Sequence, residues 1–291
     1  MNEKDRENLY KLFRDQADVL GSSRLTVVAL QSFVASVKVL RCPREEVMPL
    51  FKELADTIRN SQPHIVPLIH LIEEFEDEIE PFAERDMEAI RAGAIRILEA
   101  KIAKIEERKR RVVEQGLRHV ESGDVILVHA VSTVVLKILV RAYENLGRRF
   151  QVIVLEQDFN KTRQLLQALD RAAIPHEVIP EYTLSNAIRR ATKLFLGATA
   201  VTPDGNVVTP AGTANIVSLC HVEKIPVYLF VSTLKFSHKP SEAQQIHRKE
   251  EHRSRNGLSY DLTTYSHCLV PISLIDHVIT EDGEAKHSLP F

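Results

Sequence analysis

Residues 196–214 read LGATAVTPDGNVVTPAGTA. Leu194, Phe195 and Leu196 lead into this stretch as a short buried strand, Pro203-Asp204-Gly205 supply a turn, and Gly212-Thr213 open a helix. A strand that gives way to small residues and then to a helix N-terminus marks the ligand edge of an open α/β sheet. The reason is that N–H groups without helical partners collect there. The flanking chain repeats the pattern. Asp124 to His129 (DVILVH) is continuously apolar between its ends, as a strand buried on both faces must be, and Phe150 to Leu155, Val178 and Pro226 to Val231 mark further strands. Amphipathic segments lie between them: one after Ser132-Thr133 with Val135, Leu136, Leu139 and Val140, one over 161–172, one over about 183–192, and one over 213–223. Strict alternation of strand and helix predicts a parallel, doubly wound sheet with right-handed crossovers.

The first 120 residues read as helices and nothing else. Leu9, Leu12 and Phe13 mark one face of a first helix. Ser22-Ser23 stand where a cap belongs, before the stripe Leu25, Val28, Leu30, Phe33 and Val37. Pro43 opens a helix carrying Val47, Leu50, Phe51, Leu54 and Ile58, and Pro67 precedes one carrying Leu68, Leu71, Ile72 and Phe75. A single long pattern fills Glu84 to Val120, its charged stretch Lys104 to Arg111 being a solvated helix face. The expected fold class is therefore α/β: an all-helical N-terminal domain over 1–120, then a Rossmann-like, doubly wound, mainly parallel sheet domain over 121–291. Within the latter, 237–260 reads as a polar surface excursion, 271–275 as a last helical turn and 277–280 as an edge strand.

Composition narrows the function classes. The 291 residues carry a formal net charge of -2, which leaves no basic surplus for neutralising nucleic-acid phosphates. Cys42, Cys220 and Cys268 are an odd, scattered set that suits a reducing compartment. No apolar run reaches membrane-spanning length, and the charged start MNEKDRENLY is unlike a signal sequence, so a cytoplasmic protein is expected. Gly197, Gly205 and Gly212 do not form GxGxxG and no Walker A motif occurs; no nucleotide cofactor is expected. Cys220-His221 and His267-Cys268 lack the spacing of a metal quartet, and His247 and His252 in HRKEEH do not make HExxH, so no metal site is expected either.

One constellation remains. Ser132-Thr133 and Gly212-Thr213 each open a helix at the C-terminal end of a buried strand, and Lys235 follows the strand ending near Val231. Two helix N-termini and an ammonium aimed at one crevice would hold a phosphate. Equally, Ser132 and Thr213 could do no more than cap their helices, worth about 1 kcal/mol each. Spacing does not choose between these readings.

Four segments carry a family resemblance: GDVILVHAVST (Gly123 to Thr133), the LGATAVTPDGNVVTPAGTA loop, IPVYLFVSTLKF (Ile225 to Phe236) and LIDHVITEDG (Leu274 to Gly283). In this order, from about Ser122 to Gly283, the chain resembles the family of the alpha, beta and delta subunits of translation initiation factor 2B. Ribose-1,5-bisphosphate isomerase and methylthioribose-1-phosphate isomerase belong to the same family. The stretch between Lys235 and Pro271 departs from the family pattern. The resemblance implies a helical domain on a Rossmann-like domain, with dimerisation through the latter.

In the isomerases a cysteine and an aspartate shuttle protons between aldose and ketose; their places fall here on Ala130 and Thr199. A methyl group takes up no proton, and an ordinary hydroxyl is too weak an acid near neutral pH. His129 is the ionisable side chain left nearby. Ser132 and Lys235 match positions that touch the substrate phosphate. The resemblance thus implies a non-catalytic regulatory subunit of the initiation factor 2B type, within a guanine-nucleotide exchange complex, with no catalytic residues of its own. Its partners would be a second copy or related subunits, initiation factor 2 and the other exchange-factor subunits, and a sugar phosphate or nucleotide monophosphate. The alternatives are a sugar-phosphate isomerase working through His129, and a free-standing regulatory dimer that binds a phosphorylated metabolite.

Overall fold

The computed structural model describes residues 21–60, 64–130, 132–156, 159–244, 246 and 248–285. The chain divides into two compact units between Arg110 and Arg111.

The first unit is built from helices α1 (Ser22–Val39), α2 (Arg44–Arg59), α3 (Val66–Ile79) and most of α4 (Met87–Gly116). The apolar stripes meet in a cluster of three phenylalanines: Phe33, Phe51 and Phe75 pack edge to face, with ring centroids 5.1–5.6 Å apart. The acidic run of α3 is partly neutralised within the unit, since Lys101 Nζ stands 2.8 Å from Glu74 Oε2 and also meets Glu78. The Ser22-Ser23 cap is not used: α1 starts after Gly21, whose φ of 71° sets the entry, and Ser22 is the buried first helical residue. The helix expected around Leu9 to Phe13 lies outside the described residues.

The second unit holds a seven-stranded sheet of order β12-β11-β7-β4-β1-β2-β3. Its strands are β1 (Val125–His129), β2 (Gln151–Glu156), β3 (His176–Pro180), β4 (Lys193–Leu196), β7 (Val227–Phe230), β11 (His277–Thr280) and β12 (Gly283–Glu284). All pair in parallel except β12, which runs antiparallel to β11. Continuously apolar strands fit because both faces are covered. Ile126, Val128, Val154, Phe195 and Phe230 point to the side packed by Val135, Ile138 and Leu139 of α5 (Thr133–Glu144) and Leu165 and Leu169 of α6 (Phe159–Arg171). Leu127, Ile153, Leu194, Leu196 and Leu229 point to the other, under Ile216, Val217 and Cys220 of α7 (Thr213–Glu223). The chain fills the sheet outward from β1 in one direction, then crosses back and fills β4, β7 and β11 in the other. The reversal between β1 and β4 is the topological switch point, where ligands of open α/β sheets bind at the carboxyl ends of the strands.

Three expectations need correcting. The 196–214 stretch is more than a loop: β5 (Ala200–Val201) and β6 (Asn206–Pro210) form a hairpin that pairs with β10 (His267–Pro271) in a separate antiparallel sheet. Asp204 fixes its turn by accepting from Ser241 N at 3.1 Å and Asn206 Nδ2 at 3.0 Å. The bonds from Ser241, above all, hold its carboxyl well below the usual range. Residues 183–192 make no α-helix; the chain takes two short 3₁₀ turns, Glu181–Asn186 and Ile188–Arg190. There the Thr183 hydroxyl donates to Pro180 O at 2.7 Å, a local bond that competes with helical pairing. Lastly, β11 lies inside the sheet and the two residues of β12 form its edge. The polar excursion contains a regular hairpin, β8 (Arg248–Arg255) with β9 (Leu258–Tyr265), turned by Asn256-Gly257, both at positive φ.

Among the described residues no helix is long and apolar enough to cross a membrane. Cys220 sits wholly inside the core and burial pushes its thiol up to about 12, while Cys42 and Cys268 are part-exposed. Iodoacetamide at pH 8 is therefore expected to label Cys42 and Cys268 in the native protein and spare Cys220 until it unfolds. Native labelling of Cys220 in peptide mass spectra, at the rate of the other two, would show the packing wrong.

Candidate functional site

The carboxyl ends of β1, β3, β4 and β7 converge on the switch point. After β1 the backbone turns sharply at Ala130, whose φ of 60° is left-handed, a conformation that costs an L-residue roughly 1–2 kcal/mol. Two residues on, Ser132 caps α5, its Oγ accepting from Val135 N at 3.4 Å, and Thr133 is the first helical residue. Across from it Gly197 ends β4 without a side chain. A Cβ there would stand 2.5 Å from Ser132 Oγ, so only glycine lets the two strand ends close up this far. The next residue, Ala198, offers its carbonyl to Lys235 Nζ at 2.6 Å. Lys235 ends the one-turn 3₁₀ helix Thr233–Lys235 that follows β7. Ser132 and Lys235 thus border the same two residues, Gly197 and Ala198, from different parts of the chain.

Lys235 is half-buried, and among the described residues no carboxylate forms an ion pair with it. Burial alone acts on the ammonium, lowering it from the ordinary lysine range to about 8. A cation held beside a helix N-terminus and a serine hydroxyl, without an internal counter-charge, is arranged to receive an anion.

Gly212-Thr213 sit differently. Gly212, at φ 88°, is the N-cap of α7 and gives no side-chain cap. Thr213 turns its hydroxyl inward: Oγ1 donates to Pro210 O at 2.7 Å and so receives His129 Nδ1–H at 2.9 Å. Part of the helix end is already occupied, because Ala214 N–H points at Cys268 Sγ, 3.4 Å away, while that sulfur donates to Pro210 O at 3.2 Å. No hydrogen bond among the described residues joins Thr213 to Ser132 or Lys235.

The His129 side chain is 0% exposed. With Nδ1 committed to Thr213, Nε2 has no partner in hydrogen-bonding geometry and stands 3.4 Å from Glu181 Oε2. Glu181 follows β3 directly and reaches the site because β3 runs parallel to β2, with Glu156 opposite Pro180. Nothing in the sequence pointed to it, since the contact depends on strand register and not on local spacing. Thr199 lies half-buried after β4, its N–H bonded to Val208 O at 2.8 Å.

With this geometry in view, likeness to other proteins becomes informative. The model of the Initiation factor 2 subunit family matches residues 18–287. The chain belongs to this family. Among relatives of the initiation factor 2 subunit family, a putative translation initiation factor eIF-2B subunit 2-like protein of Pyrococcus furiosus is 34% identical over 189 residues. That match covers 62% of this chain and 65%, just under two thirds, of the relative. The ribose 1,5-bisphosphate isomerase of Archaeoglobus fulgidus is 23% identical over 223 residues, covering 76% of this chain and 69% of its own. The crystal structure of the Pyrococcus horikoshii OT3 translation initiation factor eIF-2B superposes with a TM-score of 0.78 at 24% identity and 98% coverage of both chains, a likeness of fold. This chain's relatives within the family thus include both eIF-2B-like proteins and isomerases.

Proposed function

We propose that the chain is a non-catalytic regulatory subunit of the initiation factor 2B type, acting in the cytoplasm within a guanine-nucleotide exchange complex. Its crevice at Ser132, Thr133 and Lys235 holds a sugar phosphate or nucleotide monophosphate without converting it, Gly212 and Thr213 being engaged elsewhere. The observation that carries this reading is Lys235, an ammonium that pairs with no carboxylate among the described residues and bonds Ala198 O next to Gly197, against which Ser132 packs. By the family resemblance, Ala130 and Thr199 stand where the isomerases carry their proton-transferring cysteine and aspartate. Such a site recognises and does not react. The subunit would pair with a second copy or a related subunit and, through the complex, engage initiation factor 2.

The test is thermal unfolding with ribose 5-phosphate and with AMP. At a hundredfold excess over Kd either ligand would raise Tm by about 5–10 °C. Lys235→Met removes the rise, and no aldose–ketose turnover accompanies it in the wild type. Equal shifts in both proteins would place the ligand elsewhere. The pH dependence has a definite sign. Between pH 8 and about 10.4 the unfolded chain keeps a proton that folded Lys235 has lost, so native stability rises with pH across that window. Affinity for the phosphate falls over the same range.

The His129–Glu181 pair favours a second reading, an isomerase in which these two ionisable groups replace the missing cysteine and aspartate. Turnover of ribose 1,5-bisphosphate or methylthioribose 1-phosphate, abolished in His129→Ala, would establish it and displace the first.

A further inference from the structure

The segment LIDHVITEDG brings two carboxylates to opposite ends of one strand. At the start of β7, Asp276 Oδ2 accepts from Val227 N at 2.8 Å. Beyond its end, Val231 N donates to Ile279 O at 3.0 Å, and then Glu281 takes over. Glu281 is a buried carboxylate that follows β11, the parallel neighbour of β7. Its Oε2 accepts from Thr233 N at 2.9 Å, and its Oε1 accepts from Thr233 Oγ1 at 2.6 Å and from Ser232 Oγ at 3.4 Å. These donors open the 3₁₀ turn that ends in Lys235, whose N–H bonds to Ser232 O at 2.9 Å. A buried carboxylate that accepts from several donors is a rigid post, because losing one of them leaves part of the charge less compensated.

We propose that Glu281 is a positioning residue for Lys235: by holding the N-terminal end of the Thr233–Lys235 turn, it fixes where the ammonium sits against Ala198 and Ser132. The inference rests on the reading of the crevice as a phosphate site. The role is one of placement, since Glu281 bonds to Ser232 and Thr233 at the start of the turn. Glu281→Gln keeps the shape but presents a donor where an N–H or hydroxyl already points. The turn then loosens, Lys235 Nζ leaves Ala198 O and regains water.

The experiment reads Lys235 itself, by NMR titration of its labelled side-chain methylene, beside ribose 5-phosphate affinity from calorimetry. In the wild type the ammonium titrates near 8. In Glu281→Gln the titration moves upward, toward the ordinary lysine value of about 10.4, and affinity at pH 7 falls about tenfold. Glu281→Asp, shorter by one methylene, falls between. A lowered Tm with the Lys235 titration and affinity unchanged would overturn the proposal and leave Glu281 a purely structural group. Should Glu281→Gln fail to fold, Thr233→Val, which removes one donor and keeps the backbone bond, is expected to shift both readouts the same way by a smaller amount; no shift overturns it. If wild type binds no ribose 5-phosphate yet the titration still moves in Glu281→Gln, the positioning stands and the ligand reading falls.

Discussion

Asp124→Ala is expected to cost about 3–5 kcal/mol of folding stability, the range for removing one partner of a buried ion pair. Asp124 Oδ2 stands 2.9 Å from Lys193 Nζ, with side-chain exposures of 8% and 11%. The carboxylate also accepts from Glu121 N at 2.7 Å and Thr192 Oγ1 at 3.0 Å, while the ammonium donates to His119 O at 3.0 Å. These bonds tie the entry of β1 to that of β4. With Asp124 gone, the Lys193 side chain loses its ion-pair partner in a place that solvent barely reaches. The pairing is not thereby a large net gain, because desolvating both groups offsets most of their attraction. So the double variant Asp124→Ala/Lys193→Met is expected to recover most of the loss. Urea titrations followed by circular dichroism decide it, the chain having no tryptophan to report by fluorescence. A double variant no more stable than Asp124→Ala would mean that the unpaired ammonium is not the cause.

Gly197→Ala is the second large effect, and it falls on the crevice. The added methyl would meet Ser132 Oγ at 2.5 Å and Ser132 Cβ at 2.7 Å. Gly197 does not occupy the left-handed region, so the penalty comes from crowding and not from backbone strain. Relief requires Ser132 to swing away, which breaks its cap on Val135, or requires β1 and β4 to separate at their ends. Overpacking of this kind costs about 1–3 kcal/mol. Either movement withdraws Ser132 from Lys235, so the thermal shift given by ribose 5-phosphate should vanish even at temperatures where the variant is folded. A variant with the wild-type melting point and ligand response would show that the strand ends are not so closely packed.

Much of this architecture could be read from residues alone, for a simple reason. Strands covered on both faces must be apolar without interruption, and Val125 to Val128 and Val227 to Phe230 say so directly. The crevice was legible in part for a related reason: Ser132 and Lys235 follow such strands, and the open α/β sheet puts everything that follows a strand on one edge. What escaped depends on partners far away. Glu181 joins His129 only through the register of β2 on β3. The β5–β6 hairpin is stabilised by β10, some sixty residues later, and looks locally like a glycine-rich loop. The 183–192 stretch has helical spacing of apolar residues, but Thr183 spends its hydroxyl on a local turn. Asn256-Gly257 is different: this pair is the strongest short hairpin signal there is, masked by the charges around it.

The central pairing joins Ile126–Val128 to Lys193–Phe195, segments separated by two strands and two helices. Closing so long an intervening span is slow, because its entropy is lost before the contacts that repay it have formed. His129, Ser132, Gly197 and Lys235 lie on three strand ends that meet only through this pairing. The β1–β3 half carries Ser132 and the His129–Glu181 pair, and the β4–β11 half carries Gly197 and Lys235, so neither half holds the whole crevice. The complete crevice belongs to the finished sheet and to no fragment of it.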